Sequence, residues 1–389
     1  MSSIKLKGSS SGDVTITVPA AAGTNTVTIP AATGNLPLSN LDHVTNRPNA
    51  KPLVLNGNMA VAQRSTSTTG ITGGGHHTID RMKVDLSDGG TWTQTQDADV
   101  PTGQGFANSW KLDCTTADTS VAAGTFHVAR YLFEGQDLQL LKKGTSSAEK
   151  VTVSFWIKAT VTGTYIGELY DVDNDRQISQ AYTVSSTNTW EKKVLSFVAD
   201  TTGALGDDNG SSFSINLWLS AGSNFTSGTL NTTWAGQNLV NRVVGQVNSA
   251  SSTDNNVYFT GLQMEVGEYT ADTLPPFQHE SHGDNLSRCR RYFESTQPSS
   301  NRRICGFNED NGQKCLPVDF KTSKRANPTM IIFDEANTSG KLTTLNGGGT
   351  GTNNQAVALV LAYVDCVTVF SANGTNSGIS FQYTADAEL

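Results

Sequence analysis

Val151-Thr-Val-Ser-Phe-Trp-Ile-Lys158 decides the fold class. Val151, Val153, Phe155 and Ile157 alternate with Thr152, Ser154, Trp156 and Lys158, and an apolar period of two marks a half-buried strand. The same pattern predicts strands over Thr164–Tyr170, Val194–Val198, Phe213–Leu219 and Val257–Leu262. Asp171-Val-Asp-Asn-Asp175 and Gly206-Asp-Asp-Asn-Gly210 read as turns between them. Many short strands separated by Gly/Asn/Asp turns predict a jelly-roll β-sandwich within a mainly β protein. One stretch reads otherwise. In Gln237–Val247 the residues Leu239, Val240, Val243, Val244 and Val247 recur at helical spacing and predict a short helix crossing the sandwich edge.

Outward from this unit the aromatic residues set its limits. The first aromatic residue is Trp92, and all six tryptophans lie between 92 and 234, so one domain, 52–280, owns them. After Leu274-Pro-Pro276 the character changes. Asp284 is placed to cap a helix with Leu286, Cys289 and Phe293 on one face, and strands are expected over Leu316–Phe320, Met330–Phe333, Ala356–Val364 and Cys366–Phe370. A small β domain, 284–389, preceded by a short helix, is the expectation.

Upstream, Thr15-Ile-Thr-Val-Pro-Ala-Ala-Ala-Gly23 is echoed eleven residues later by Thr26-Val-Thr-Ile-Pro-Ala-Ala-Thr-Gly34. Val14, Ile16 and Val18, then Val27 and Ile29, form the apolar face of two short strands ended by Pro19 and Pro30. Two such strands are marginal alone, so residues 1–38 need partners, either other copies of the chain or a docking surface. Polar Ser39–Lys51 reads as a linker.

Composition narrows the function. The 389 residues carry 16% charged side chains, 37 glycines and a formal net charge of −8, which argues against a phosphate-neutralising, nucleic-acid-binding surface. Lys5 and Lys7 interrupt any apolar signal segment, and no apolar run approaches membrane-spanning length, so no membrane insertion is expected. Cys114, Cys289, Cys305, Cys315 and Cys366 fall in no close pair and in no zinc-ligand spacing, so neither a disulfide framework nor a metal site is expected. There is no GxSxG elbow, no His/Glu metal motif and no P-loop, and His76-His77 lies in a Gly-rich stretch read as a loop.

The opening repeat is similar to the N-terminal segments of many phage tail-fibre and virion structural proteins. Val54-Leu-Asn-Gly-Asn-Met59, Ile79-Asp-Arg-Met82, Val153-Ser-Phe-Trp-Ile-Lys158, Thr189-Trp-Glu191, Leu262-Gln-Met-Glu-Val-Gly267 and Cys289-Arg-Arg-Tyr-Phe293 resemble the jelly-roll module of phage fibres related to carbohydrate-binding modules. What the resemblance implies is a homotrimeric virion component. It would be anchored to tail, baseplate or tail-hub proteins through Val14, Ile16, Val18, Val27 and Ile29, and would present β-rich domains to a host-surface glycan.

Strand parity selects candidate ligand residues. Trp156 shares its face with Thr152, Ser154 and Lys158, and Trp218 shares its face with Ser214, Asn216 and Ser220. A tryptophan among small polar residues suits a sugar, whose CH face stacks on the ring. Trp156 and Trp218, with Trp190 and Tyr170 as further members, are the candidate glycan groove. Burial under a loop or a neighbouring subunit is the competing and, for tryptophan, the commoner situation. Asp171-x-Asp173-x-Asp175 opens like a calcium loop, but Arg176 replaces the required Gly and Tyr182 the chelating Glu, so a hairpin turn is favoured. Glu168 and Asp173 are the carboxylates a depolymerase would recruit, yet their spacing singles out neither; no catalytic residue and no cofactor is expected. Arg288, Arg290, Arg291, Arg302, Arg303, Lys324 and Arg325, balanced by nearby acids, read as a solvated or intersubunit ion-paired face. A receptor-binding fibre leads over a virion adaptor or decoration protein and over a polysaccharide depolymerase.

Overall fold

The computed structural model describes residues 3–7, 13–17, 51–296, 304–306, 308–310, 313–346, 351–372 and 378–389. It is mainly β, and its chain falls into two units, Met1–Pro48 and Asn49–Leu389. In the first, β1 (Ser3–Lys7) pairs antiparallel with β2 (Asp13–Thr17), with Ile4 opposite Ile16 and Leu6 opposite Val14. The first repeat copy thus forms a strand, and its partner is the segment before it. Val18 and the second copy, with Val27 and Ile29, lie outside the described residues, as does all of the expected linker except Lys51.

The second unit is built on two six-stranded antiparallel sheets. One comprises β4 (Met82–Ser87), β7 (Phe126–Glu134), β9 (Gly163–Asp171), β10 (Arg176–Val184), β12 (Ser211–Ala221) and β13 (Ala235–Gly236), in the order β13-β10-β9-β12-β7-β4. The other comprises β3 (Ser67–Ile71), β5 (Thr91–Asp97), β6 (Ser109–Thr116), β8 (Val151–Ala159), β11 (Glu191–Phe197) and β14 (Asn256–Val266), in the order β11-β8-β14-β6-β5-β3. Their inner faces meet in one core in which Phe155, Phe213, Phe259, Tyr131, Trp92 and Trp110 are buried. The five strands expected from alternation are β8, β9, β11, β12 and β14. β7 escapes that reading because its outer face is covered too, so Val128, Leu132 and Glu134 are buried along with Ala129, Tyr131 and Phe133.

The expected helix over Gln237–Val247 is not formed; only Leu239–Asn241 makes a single 3-10 turn. The segment lies across the outer face of the first sheet, and its hydrogen bonds go to neighbours: Val243 N donates to Phe225 O (3.0 Å) and Val247 N to Thr164 O (2.9 Å). The apolar residues spaced at helical intervals are those of an irregular cover strap, with Val243 fully buried against Trp218 and Ile166.

Beyond Pro276 a helix, α1 (His282–Arg290), is capped by Ser281, whose hydroxyl accepts from Asp284 N at 3.2 Å. The cap therefore sits three residues before the Asp284 expected for it. Phe293 is not on its face but opens β15 (Phe293–Ser295). The remaining strands are β16 (Ile304–Gly306), β17 (Asn308–Asp310), β18 (Gln313–Asp319), β19 (Thr329–Phe333), β20 (Lys341–Leu345), β21 (Gly351–Ala362), β22 (Cys366–Ser371) and β23 (Gly378–Asp386). With β15 they form one nine-stranded sheet, curled round its own core of Leu342, Val367, Val369, Ile379 and Phe381.

Of the basic residues read as one solvated or intersubunit face, Arg288, Arg291, Lys324 and Arg325 have partners within the same chain. Arg291 forks onto Glu134 of β7 (3.0 and 2.7 Å), Arg288 pairs with Glu280, and Lys324 is fully buried against Glu294 (2.8 Å). Arg325 Nε donates to Ala387 O (2.9 Å). A charge as buried as Lys324 needs a partner, and here the partner belongs to the same chain. Arg302 and Arg303 lie outside the described residues. No helix among the described residues is long and apolar enough to cross a membrane.

Candidate functional site: a cleft on the outer face of the first sheet

Register alone lines up a row of polar side chains across the first sheet. Glu168 of β9 stands opposite Asn216 of β12, and Asn216 stands opposite Arg130 of β7. The strands alternate, so these side chains leave the core and face outward with Trp218 and, from β4, Asp85. They are wired together. Arg242, from the cover strap, donates Nε and Nη2 to the two oxygens of Glu168 (2.7 Å each). Asn216 Nδ2 and Trp218 Nε1 donate to Glu168 Oε2 at 2.9 and 3.1 Å. Arg130 Nε donates to Asn216 Oδ1 at 2.8 Å, and Arg130 also pairs with Asp85.

Burial makes this wiring obligatory. Glu168 is 1% exposed, and a carboxylate so placed must be paired and hydrogen-bonded. Burial by itself would lower the Arg242 pKa, but the facing Glu168 carboxylate outweighs it and holds the guanidinium firmly charged. The Arg242 guanidinium carbon also lies 5.1 Å from the Trp218 ring and 5.2 Å from Tyr170.

Beside this row opens a cleft of about 380 Å³, lined by Gly74, Asp85, Leu86, Phe126, Val128, Arg130, Trp218, Phe225 and Arg242. Phe225 sits on a single helical turn, Ser223–Thr226, and packs 5.5 Å from Trp218 and 5.7 Å, edge on, from Phe126. The turn can sit there because residue 222 is glycine: a Cβ on Gly222 would stand 1.9 Å from Ala122 O. Aromatic walls, an apolar floor and a few oriented polar groups at the mouth are what small-molecule sites share. Arg130 and Asp85, both half-buried, are the polar groups that reach the mouth.

The four tryptophan and tyrosine candidates divide between two faces. Trp218 and Tyr170 belong to this sheet. Trp218, however, is 1% exposed beneath Phe225 and the cover strap, so it forms the cleft's back wall rather than an open platform. The Tyr170 hydroxyl donates to Asp175 and accepts from Gln237 Nε2 (3.1 Å); burial, then that carboxylate, push its pKa up to about 12. Trp156 and Trp190 lie on the outer face of the other sheet, so the four do not make one groove. There Trp190 Nε1 donates to Asp99 Oδ1 (2.9 Å), and Lys158, paired with the same Asp99, lies 4.2 Å from the Tyr258 ring centre. Burial pushes the Asp99 carboxyl up, but the hydrogen bonds from Lys158 and Trp190 outweigh it and hold it below its ordinary range. Trp156 is half-buried beside Gly261, at φ +64°, where a Cβ would stand 2.7 Å from Phe106 and 3.1 Å from Trp156.

No family profile matches the chain, and no curated protein matches it in sequence. Among solved structures it is similar to the enzymatically active domain of a bacteriophage CBA120 tailspike, at 14% identity and TM-score 0.28, over 55% of this chain and 21% of that one. It thus spans about a fifth of that domain's length. It is also similar to a xylan-binding domain from Paenibacillus barcinonensis, at 11% identity and TM-score 0.24, over 57% of this chain and 99% of that one. A module solved with β-1,4-galactotriose is similar at 8% identity and TM-score 0.21, over 56% and 99%. Likeness at these scores carries no inference about ligand or partner.

The acidic motif resolves into structure. Asp171–Asp175 is the hairpin turn between β9 and β10, and Asp171 is taken up by a lysine. The Lys143 ammonium pairs with Asp171 and with Asp200 (2.9 Å) and donates to Thr202 O and Gly203 O (2.9 Å each). An internal cation therefore occupies a cage of four oxygens. Among the described residues no group of three His, Cys, Asp or Glu side chains is placed to hold a metal. Asp173 accepts from Gly206 N at 2.8 Å.

Sequence reading missed Asp85, Arg130, Phe126, Phe225 and Arg242. Met82-Lys-Val-Asp-Leu-Ser87 carries a period-two signal that places Asp85 outward, whereas in β7, apolar on both faces, Arg130 is placed by its pairing with β12. No local pattern announces Arg242, whose role depends on where the strap crosses. The motif residues Asn56, Asp80 and Arg81 turn out to tie one end of the sandwich together. Asn56 Nδ2 donates to Val61 O (2.9 Å) and Asp80 O (3.0 Å).

Proposed function

We propose that this chain is a structural component of a bacteriophage virion, a tail fibre, which binds a saccharide of the host surface in the Asp85–Arg130–Phe225–Trp218 cleft. The cleft carries this reading: aromatic walls offer CH–π stacking, and Arg130 and Asp85 offer a donor and an acceptor side by side for vicinal hydroxyls. Arg130 is held by Asn216 of the buried Glu168–Arg242 network and Asp85 by its pair with Arg130, so a ligand would meet a preorganised site. The N-terminal repeat supports attachment to the tail, through Val14, Ile16, Val18, Val27 and Ile29, and a homotrimer as the assembled form. Binding without cleavage is the favoured chemistry. Glu168 is occupied by Arg242, Asn216 and Trp218, and Asp173 by a backbone amide, so neither carboxylate is poised as an acid or a nucleophile.

The test is titration of the full-length chain against surface polysaccharides of candidate hosts by calorimetry. Wild type is expected to bind one of them; Arg130→Ala and Phe225→Ala are expected to weaken binding at least about tenfold, the loss of one good polar or stacking contact, with unchanged circular dichroism. Full binding by both variants, or release of oligosaccharide by the wild type, overturns the reading.

A further inference from the structure

The longest strand of the C-terminal sheet presents an apolar face that nothing among the described residues covers. Along β21 and the turn after it, Leu359, Leu361, Tyr363 and Val364 are 48, 37, 55 and 36% exposed. Their neighbours Val360 and Ala362 point the other way, into the domain core. Residues 351–364 contain no Asp, Glu, Lys, Arg or His. Across the ladder, Leu361 stands opposite Thr368 of β22, and Thr368 opposite Pro317 of β18, so the uncharged surface extends over three hydrogen-bonded strands. An uncharged strand of this length, about 40 Å for twelve residues, with four exposed apolar residues at and just beyond its end, is a liability for a free monomer.

We infer that this stripe is the contact through which copies of this chain associate with one another. Three observations select a second copy. The chain carries a net charge of −8, so copies repel except where they meet through uncharged surface, and the stripe supplies such a surface. Its rim carries both signs, with Asp319, Asp365 and Lys321 exposed, so a rotated copy can set its lysine against a neighbour's carboxylates. The stripe alternates large side chains (Leu359, Leu361, Tyr363) with small ones (Ala356, Ala358, Pro317, Thr368), and a patch that must pack on itself needs both projections and hollows. The inference deepens the fibre reading by locating its subunit contact. Its failure is separable from failure of the glycan-binding reading, because assembly is measured without any glycan.

Sedimentation velocity on the full-length chain at micromolar concentration tests it. Wild type is expected to sediment as an oligomer, and the Leu361→Asp/Tyr363→Asp double variant as a monomer, its self-association weakened by about a hundredfold or more because two carboxylates would be desolvated in each contact. Both positions are exposed in the single chain, so circular dichroism and melting are expected to stay as in the wild type. A monomeric wild type overturns the inference, including one that floats with phosphatidylcholine vesicles, which would give the stripe to a membrane instead. A double variant that sediments like the wild type also overturns it. Should the double variant misfold, Tyr363→Cys in a Cys366→Ser background provides the second reading: oxidation must join copies covalently through residue 363, and its failure to do so overturns the proposal.

Discussion

Arg81 and Glu388, 307 residues apart, form a buried ion pair that fastens the last residues of the chain to the sandwich. The Arg81 guanidinium carbon lies 3.5 Å from the Tyr292 ring centre, and its Nη2 donates to Leu132 O at 2.7 Å. Arg64 adds a second contact to Glu388 (3.4 Å) and one to Asp386 (3.0 Å) while stacking on Phe293. Burial alone would push the Glu388 carboxyl up, but Arg81, with His76 and Arg64, overcomes it and holds the carboxyl at about 2.

Glu388→Gln is expected to destabilise the protein by about 3–5 kcal/mol, since it leaves Arg81 charged, buried and short of its partner. Chemical denaturation at neutral pH measures it. Arg81→Met/Glu388→Gln should lose less than the two single variants added together, and simple additivity would show that the pair does not interact.

Lys143 fills an oxygen cage, so its removal has a specific remedy. Lys143→Ala leaves Asp171 with Asn174 as its remaining donor, Asp200 with Arg176 as its remaining cation, and two carbonyls without theirs, at a cost of about 3 kcal/mol. These are hard oxygen ligands. Millimolar calcium is expected to raise the melting temperature of the variant and to leave the wild type unmoved; equal responses of the two would rule out a vacated cation cage.

His127 predicts acid sensitivity. Its ring packs 4.4 Å from Trp92, and neither nitrogen has a hydrogen-bond partner among the described residues. Desolvation alone lowers its pKa from 6.5 to about 3. Because the folded value is depressed, the unfolded chain takes up the proton first. Stability held above pH 6.5 is therefore lost as pH falls toward 3, by about 5 kcal/mol in total. His76, lowered to about 4 chiefly by burial, acts in the same direction. Asp80, raised to about 6 by burial, acts in the opposite one, regaining stability as pH falls from 6 to 3.8. His127→Phe should flatten the fall in urea midpoint between pH 6.5 and 4, and an equally steep fall in the variant would refute this origin.

The two outer faces separate three further variants. Trp156→Ala and Trp190→Ala alter the second sheet, opposite the cleft, and should leave saccharide affinity within about twofold, as expected of sites that share no partners. Trp218→Ala removes the cleft's back wall and should cost about 3–5 kcal/mol of stability as well as binding. Loss of affinity in Trp156→Ala with wild-type melting would move the site to the other sheet.

Period-two alternation was sufficient to read the mainly β class, five sandwich strands and the outward direction of Trp156 and Trp218, because strand geometry sends successive side chains to opposite faces whatever lies above them. It could not tell whether an outward face meets water or another segment. That depends on the strap over 237–247 and the turn carrying Phe225; the strap's helical spacing of apolar residues accompanies an irregular segment that buries Val243 on the sheet. The strap turns Trp218 from a platform into a wall, brings Arg242 onto Glu168 and creates the cleft. The arginines after 285 show the same division: their number and balancing acids are plain in the sequence, but only the closed chain sets Arg291 against Glu134. Local periodicity is a property of adjacent residues. Pairings such as Glu168 with Arg242, 74 positions apart, arise only when the folded backbone brings distant strands and loops within hydrogen-bonding distance.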